Sequence, residues 1–236
     1  MATRTLLVLA GGLGTRLRSV VADVPKPLAP VDGHPFLHHA IENWRRQGID
    51  KLMLLLQHRA EAIEKFVAEH RELMAGLEVC ISIEPQPLGT GGAVAHAVKA
   101  FGLSGSFLVT NADTWLGSGV TELAGARVPA MGIVRVDNVE RYGCVRVDGG
   151  RIAAFSEKGC ETGAGWINAG IYHLDAAVFD RWDGRPFSLE KELFPVLAAA
   201  GSLHGVALDT DFIDIGIPED YARFCRWIAS GKTEDL

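Results

Sequence analysis

The stretch from Leu6 to Pro27, LLVLAGGLGTRLRSVVADVPKP, constrains this chain more than any other. Leu6 to Leu9 is an aliphatic run without alternation, the pattern of a strand buried on both faces. It breaks at once into Gly11, Gly12 and Gly14, followed by Thr15, Arg16 and Arg18, with Lys26 set between two prolines. Glycine lets the backbone turn tightly and approach a ligand closely. Successive N–H groups in such a loop can converge on an anion. A buried strand that empties into glycines and then cations predicts a phosphate site. A glycine-rich turn with solvated cations is the plainer alternative. The P-loop pattern is excluded, because no Lys follows Gly14 in the required place. The dinucleotide fingerprint fails too, because its third glycine would fall at Leu17.

Downstream, strand and helix patterns alternate. Pro35 to Gln47 has helical periodicity, with Phe36, Leu37, Ala40, Ile41 and Trp44 on one face. Leu52–Leu56, Leu77–Ile83 and Phe107–Val109 read as strands, with helices at Ala60–His70 and Gly91–Phe101 between them. This spacing predicts an α/β fold, a Rossmann-like, mostly parallel sheet flanked by helices, with right-handed crossovers. Ligands then gather beyond the carboxyl ends of the strands, where Gly11–Arg18, Glu84 and Asp113 lie. The second half changes character. Strands are expected at Ala130–Val136 and Asn168–Leu174, and a hairpin turns at Asp148–Gly149–Gly150. Helices are expected at Ala176–Trp182, Ser188–Ala200 and Pro218–Ser230. The economical reading is one domain: a nucleotide-binding half over about residues 1–115, then a small β-rich lobe and a C-terminal part over about 116–236.

A length of 236 residues suits one such domain. A formal net charge of −6 speaks against nucleic acid as a partner. An acidic chain that binds a triphosphate must concentrate cations locally, as the first segment does. No apolar run approaches a bilayer span and no signal peptide is expected, so the expected location is cytoplasmic, without a membrane partner. The four cysteines, Cys80, Cys144, Cys160 and Cys225, are widely spaced without a CxxC and are expected to be reduced. Oligomeric state is open, a homo-oligomer included.

Two carboxylates are candidates for a metal. Asp113 ends the apolar string FLVTNAD; a helix cap or Asx turn is its structural alternative. Asp214 lies in FIDIGIP, where alternation turns it to the face opposite Ile213 and Ile215. Mg²⁺ takes hard oxygen ligands, often one or two carboxylates plus phosphate oxygens. Whether the fold joins these two aspartates is not written in their spacing.

The strings GGLGTRL with PKP, NAD, PLGTGGA and FIDIGIP together resemble the sugar-1-phosphate nucleotidylyltransferases, over nearly the whole chain. The resemblance implies transfer of a nucleotidyl group from an NTP to a sugar 1-phosphate, giving an NDP-sugar and pyrophosphate, with Mg²⁺ on Asp113 and Asp214. It implies that Leu9, Ala10, Gly11, Gly12, Gly14 and Thr15 cradle the nucleotide, with Asn111 nearby and Pro87, Gly89 and Thr90 on a loop touching base and sugar. Arg16 and Lys26 fall on the family's phosphate cations. Tyr142, Gly143, Glu157, Lys158, Asn168 and Gly170 fall on its sugar-phosphate contacts. Ala112 stands where many relatives have Gly, which makes the strand end less open.

A narrower likeness, through SLEKELFP and FIDIGIPEDY, points to the branch that uses GTP and a D-glycero-α-D-manno-heptose 1-phosphate. Mannose 1-phosphate with GTP, or an N-acetylated sugar 1-phosphate with UTP, shares most of these motifs. Glu84 favours guanine on chemical grounds. An ionised carboxylate only accepts hydrogen bonds, and guanine offers adjacent N1–H and N2–H donors. The alternative for Glu84 is a solvated strand-end carboxylate, with the base read by backbone groups of Leu88–Gly91. Two rival classes are a nucleotide-sugar-binding regulatory subunit, disfavoured by intact Arg16, Lys26, Asp113 and Asp214, and a dinucleotide oxidoreductase, disfavoured by Leu17.

Overall fold

The computed structural model describes residues 4–12, 17, 21, 24–156 and 162–231. In chain order the elements are β1 (Thr5–Leu9), β2 (Pro30–Val31), β3 (His34–Pro35), α1 (Phe36–Arg46), β4 (Lys51–Leu56), α2 (Ala60–Glu69), β5 (Glu78–Ile83), α3 (Gly89–Phe101), β6 (Ser106–Asn111), β7 (Thr114–Leu116) and α4 (Val120–Ala124). They continue with β8 (Ala130–Val136), β9 (Cys144–Asp148), β10 (Arg151–Ser156), β11 (Gly165–Asp175), α5 (Phe194–Ala199), β12 (His204–Ala207), β13 (Phe212–Asp214) and α6 (Pro218–Ala229).

A nine-stranded sheet runs in the order β5-β4-β1-β6-β11-β8-β12-β10-β9. Its first four strands are parallel, as the βα spacing predicts. Leu6, Leu7 and Val8 are fully buried because β1 has a strand on each side and a packed layer on each face. Leu6 and Val8 join the core under α1, α2 and α6, whereas Leu7 joins the core under α3 and α5. α1 buries the face expected of it, Phe36, Leu37, Ala40, Ile41 and Trp44.

The chain moves outward from β1 through β4 to β5, then returns across β1 to β6. Strand order therefore reverses between β1 and β6, and a crevice opens beyond the carboxyl ends at such a reversal. Leu9 pairs with Asn111 across this boundary, so Gly11 and Asp113 emerge side by side at its mouth.

The second half continues the same sheet rather than lying over it as a separate layer. β11 is antiparallel to both β6 and β8, and carries a bulge between Asn168 and Tyr172. The β9–β10 hairpin turns where expected, with positive φ at Gly149 (52°) and Gly150 (78°), as its tight turn requires. The helix expected over Ser188–Ala200 is divided: Leu189–Leu193 is a π-helix and only then does α5 begin. Pro195 has no N–H to donate, so an α-helical ladder cannot run unbroken through it. The helix expected over Ala176–Trp182 shrinks to a 3-10 turn, Ala176–Phe179, capped by the Asp175 side chain. Cys80 and Cys225 are free thiols. Cys144 is disulfide-bonded, which corrects the expectation of a reduced thiol there. No helix among the described residues is long and apolar enough to cross a membrane.

Candidate active site

Asp113 leaves β6 at the crevice, and the chain turns immediately into β7. There β7 pairs antiparallel with β13, placing Thr114 opposite Asp214. Ile215 N–H donates to the Asp113 carbonyl at 2.9 Å, closing the pair. Ile213 and Ile215 are buried, and Asp214 faces the other way, as strand alternation requires. Two aspartates remote in sequence are thus held together by a two-strand ladder.

Lys26 comes up between them. It sits on the 3-10 turn Lys26–Leu28, between prolines that fix the chain direction. Its Nζ pairs with Asp113 Oδ2 and lies 3.5 Å from Asp214 Oδ1. The Lys26 side chain is 10% exposed, while the two carboxylates are 32% and 31% exposed, so the acidic face opens to the crevice and the ammonium is set back. Gly216 N–H donates to Asp214 Oδ1 at 2.7 Å. A Cβ at Gly216 would stand 2.8 Å from that oxygen and 3.2 Å from Lys26 Nζ, so the turn must be glycine to admit both groups.

Two carboxylates that share one cation fit a divalent ion with hard-oxygen preference. No group of three or more His, Cys, Asp or Glu capable of holding a metal occurs among the described residues. Protein ligation by Asp113 and Asp214 alone suits an ion whose remaining ligands are phosphate oxygens and water.

The side of the crevice expected to take the nucleotide is built from the strand ends. Ala10 N–H donates to the Leu55 carbonyl at 2.9 Å, and Ala112 N–H to the Leu9 carbonyl at 3.1 Å, so the chain leaves β1 well anchored. A Cβ at Gly11 would meet Gln57 Cβ at 3.1 Å and Glu84 Oε1 at 3.3 Å, whereas one at Gly12 meets no atom of the described residues within 4 Å. Glu84 therefore turns toward the glycine loop. Its Oε2 accepts from Leu88 N–H at 2.8 Å. Burial pushes the Glu84 carboxyl above its ordinary range, and the Leu88 bond opposes this.

The loop after Glu84 is held by the protein itself. Gly91 and Gly92 N–H donate to the Phe187 carbonyl at 3.0 and 3.2 Å, and Phe187 N–H donates to Leu88 O at 2.9 Å. The start of α3 is thus capped by a backbone carbonyl. A Cβ at Gly91 would lie 2.2 Å from the Phe187 ring. Gly91→Ala is expected to lower stability by about 1–3 kcal/mol, the usual cost of overpacking. Gly12→Ala should stay within about 0.5 kcal/mol. Denaturant unfolding of both variants checks the pair; equal stability losses would contradict the packing argument. Pro87 and Gly89 lie at the exposed tip of this loop, with φ +72° at Gly89.

The residues expected on the sugar side are anchored to the same elements. Tyr142 packs edge-on against Phe212 of β13, centroids 5.6 Å apart, and the Arg141 guanidinium lies 5.7 Å over its ring. Arg141 is held in turn by Asp220 at 2.6 Å. Asn168 N–H donates to Gly143 O at 2.9 Å. In the β11 bulge Gly170 has φ +70°, its N–H donates to Asn168 Oδ1 at 2.9 Å, and a Cβ there would stand 2.9 Å from Asn111 Nδ2. Asn111, Asn168 and Gly170 therefore form one wall. Gly14, Thr15, Arg16, Glu157 and Lys158 lie outside the described residues.

Sequence reasoning named neither Gln57 beside Gly11, nor Arg141 behind Tyr142, nor Glu190 against Thr90. Glu190 had a signal, since it lies in SLEKELFP, but the string carries no chemistry until its neighbours are known.

A family model described as nucleotidyl transferase matches residues 5–230. The chain belongs to that family. Nucleotidyl transferases generally use a divalent metal, in keeping with the paired carboxylates. This nucleotidyl transferase is 34% identical over 223 residues to D-glycero-alpha-D-manno-heptose 1-phosphate guanylyltransferase of Aneurinibacillus thermoaerophilus, covering 92% of this chain and 95% of the relative. It is 35% identical over 231 residues to mannose-1-phosphate guanylyltransferase 1 of Arabidopsis thaliana, covering 93% of this chain but 63% of that longer protein. The crystal structure of HddC from Yersinia pseudotuberculosis complexed with GMP-PN superposes with a TM-score of 0.84 at 35% identity, covering 96% of this chain and 100% of that one. The expected α/β fold and family are both met.

Proposed function

We propose that this enzyme transfers a guanylyl group from GTP to D-glycero-α-D-manno-heptose 1-phosphate, releasing pyrophosphate. The observation that carries the reading is the convergence of Asp113 and Asp214 on Lys26 at the switch point, beside the glycine loop. The likeness to the heptose enzyme over nearly the full length of both chains supports the acceptor. Mannose 1-phosphate is the second reading, supported by the 35% identity to a mannose-1-phosphate enzyme.

A phosphate oxygen of the sugar 1-phosphate attacks the α-phosphorus of GTP in line; the bond to the β-phosphate oxygen breaks, and pyrophosphate leaves with that electron pair. The nucleophile is already an anion, so no protein nucleophile or general base is required. Catalysis is positioning plus charge neutralisation. Gly11, Gly12 and Gly14 bring backbone N–H groups to the nucleotide. Lys26 Nζ, next to both carboxylates, neutralises charge near the α-phosphate. Arg16 does so on the leaving pyrophosphate, and Lys158 holds the sugar phosphate. Asp113 and Asp214 would hold a divalent ion such as Mg²⁺, which would supply Lewis-acid polarisation of the phosphate oxygens. Tyr142, Gly143, Glu157, Asn168 and Gly170 seat the sugar.

Glu84 reads the guanine N1–H and N2–H edge. Its Oε1 faces Gly11 while its Oε2 is steadied by Leu88 N–H. Uracil and thymine present N3–H between two carbonyl oxygens, and adenine presents an acceptor at N1. Each leaves the carboxylate facing an acceptor, which a buried site penalises. Glu84→Gln is expected to cut the GTP preference by roughly 10- to 100-fold, the worth of a charge-assisted hydrogen bond of about 1.5–3 kcal/mol. The check is kcat/KM for GTP, UTP, dTTP and ATP in wild type and variant. Wild-type preference for UTP or dTTP, or an undiminished GTP preference in Glu84→Gln, removes Glu84 as reader; a preference for UTP also moves the acceptor toward an N-acetylated sugar 1-phosphate.

A further inference from the structure

Asp220 is a buried charge with no part in the chemistry above. It lies in the first turn of α6, and its side chain is 9% exposed. A buried carboxylate is costly unless it is paired. Its Oδ2 accepts from Arg141 Nη2 at 2.6 Å, and its Oδ1 lies 3.6 Å from Arg223 Nη2. Arg223 Nη2 also donates to the Phe212 carbonyl at 3.3 Å. One carboxylate thus gathers a guanidinium from its own helix and another from the connection between β8 and β9.

Arg141 directly precedes Tyr142 and Gly143 in that connection. The connection bonds to itself: Glu140 N–H donates to Asn138 Oδ1 at 3.0 Å, and Tyr142 N–H to Val139 O at 2.9 Å. At its end Gly143 O accepts from Asn168 N–H on β11. Side chains carry it across to β13 and α6. Arg141 reaches Asp220, and the Tyr142 ring packs on Phe212, two residues before Asp214 on β13. The guanidinium lies over that same ring, so the salt bridge also fixes where the tyrosine stacks.

Attachment of α6 does not require Asp220. Phe224 is fully buried, its ring 4.9 Å from Phe36 and 5.2 Å from Trp115. The Tyr221 hydroxyl donates to the Pro30 carbonyl, two residues beyond the turn that carries Lys26. Glu219 already supplies an acidic group to the positive end of the helix. What Asp220 adds is the reach to Arg141.

We propose that Asp220 is a positioning residue: through Arg141 it holds the Tyr142–Gly143 corner against β13 and so sets the sugar seat relative to Asp214. The proposal rests on Tyr142 and Gly143 seating the sugar and on Asp214 serving the metal, as proposed above. In-line attack is sensitive to such placement, and a misplacement of about 1 Å can cost about 100-fold.

The test is steady-state pyrophosphate release by the full chain with Mg²⁺, varying the heptose 1-phosphate at saturating GTP, then GTP at saturating heptose 1-phosphate. Wild type, Asp220→Asn, Arg141→Ala, Arg141→Lys and the double variant Asp220→Asn with Arg141→Ala are compared, with Tm recorded for each. Asp220→Asn and Arg141→Ala should each raise the KM for the sugar 1-phosphate by about 10- to 100-fold. The KM for GTP should stay within about twofold, as for sites that share no partner. The double variant should be no worse than Arg141→Ala, because both changes remove one link. Arg141→Lys, which keeps the charge but not the planar fork, should recover part of the loss. Asp220→Glu, which moves the charge by one methylene, gives the same readout should Asp220→Asn not fold. A lower Tm with an unchanged sugar-phosphate KM assigns the pair to stability and overturns the proposal. A raised KM in Arg141→Ala beside a normal one in the Asp220 variants places Arg141 on the substrate directly and also overturns it, as do losses that multiply in the double variant. In each of these cases turnover by wild type leaves the proposed function standing. A wild type that releases no pyrophosphate from GTP and the heptose 1-phosphate overturns that function and this inference together.

Discussion

Asp113→Asn and Asp214→Asn are each expected to lower pyrophosphate release by at least about 10²–10³-fold with Mg²⁺ present, the scale of losing one electrostatic stabiliser of a transition state. Both carboxylates approach one ammonium, and no third His, Cys, Asp or Glu joins them in a metal-holding group among the described residues. Losing either charge leaves a divalent ion a single carboxylate ligand. The fold should survive, because each side chain is about one-third exposed and the β7–β13 ladder that carries them is made by the backbone. The variants should therefore unfold close to wild type in the absence of metal, but lose the rise in Tm that wild type shows with Mg²⁺ and GTP together. Near-normal turnover in either variant contradicts the assignment.

Lys26→Met is expected to lower kcat by a factor corresponding to about 2–4 kcal/mol of barrier, with the KM for sugar 1-phosphate little changed. Lys26 sits where charge shifts during transfer, so its contribution should be larger in the transition state than in the ground state. A second consequence follows from its burial. At 10% exposure the ammonium is the countercharge that lets two carboxylates face one another. Without it, like charges repel in a partly desolvated site. The variant should lose Tm in metal-free buffer and regain more of it on adding Mg²⁺ than wild type does. An effect confined to the sugar-phosphate KM would move Lys26 to the acceptor side, and a Tm response to Mg²⁺ no larger than in wild type would remove the countercharge role.

Much of this was legible in the chain because the controlling physics is local. The unbroken aliphatic run of β1 announces a strand covered on both faces, and the βα alternation announces the parallel half of the sheet. Strand alternation fixes the outward face of Asp214 before its partner is known. The meeting of Asp113 with Asp214 was not legible, because it depends on β7 pairing with β13, two three-residue strands too short to show periodicity. The continuation of the sheet through β11 was hidden for a related reason. β11 must pair with β6 on one side and β8 on the other, and register between remote strands leaves no trace in spacing. The π-helical turn that carries Glu190 follows from Pro195 only in hindsight, since a proline near the start of a helix is compatible with an ordinary first turn. Gly91 and Gly92 illustrate the opposite hazard. Their pattern suggests ligand contact, while the structure shows that the Phe187 ring fills the space beside Gly91, Leu88 fills that beside Gly92, and the Phe187 carbonyl takes both N–H groups.

The central claim is guanylyl transfer to a heptose 1-phosphate. The most direct measurement is pyrophosphate release, with Mg²⁺, from a matrix of GTP, UTP, dTTP and ATP against D-glycero-α-D-manno-heptose 1-phosphate, mannose 1-phosphate and an N-acetylated hexosamine 1-phosphate. The account predicts the highest kcat/KM for GTP with the heptose 1-phosphate, and formation of the GDP-sugar in step with pyrophosphate. A higher kcat/KM for GTP with mannose 1-phosphate would contradict the acceptor, a preference for UTP would contradict the base reader, and no pyrophosphate from any pair would contradict catalysis itself.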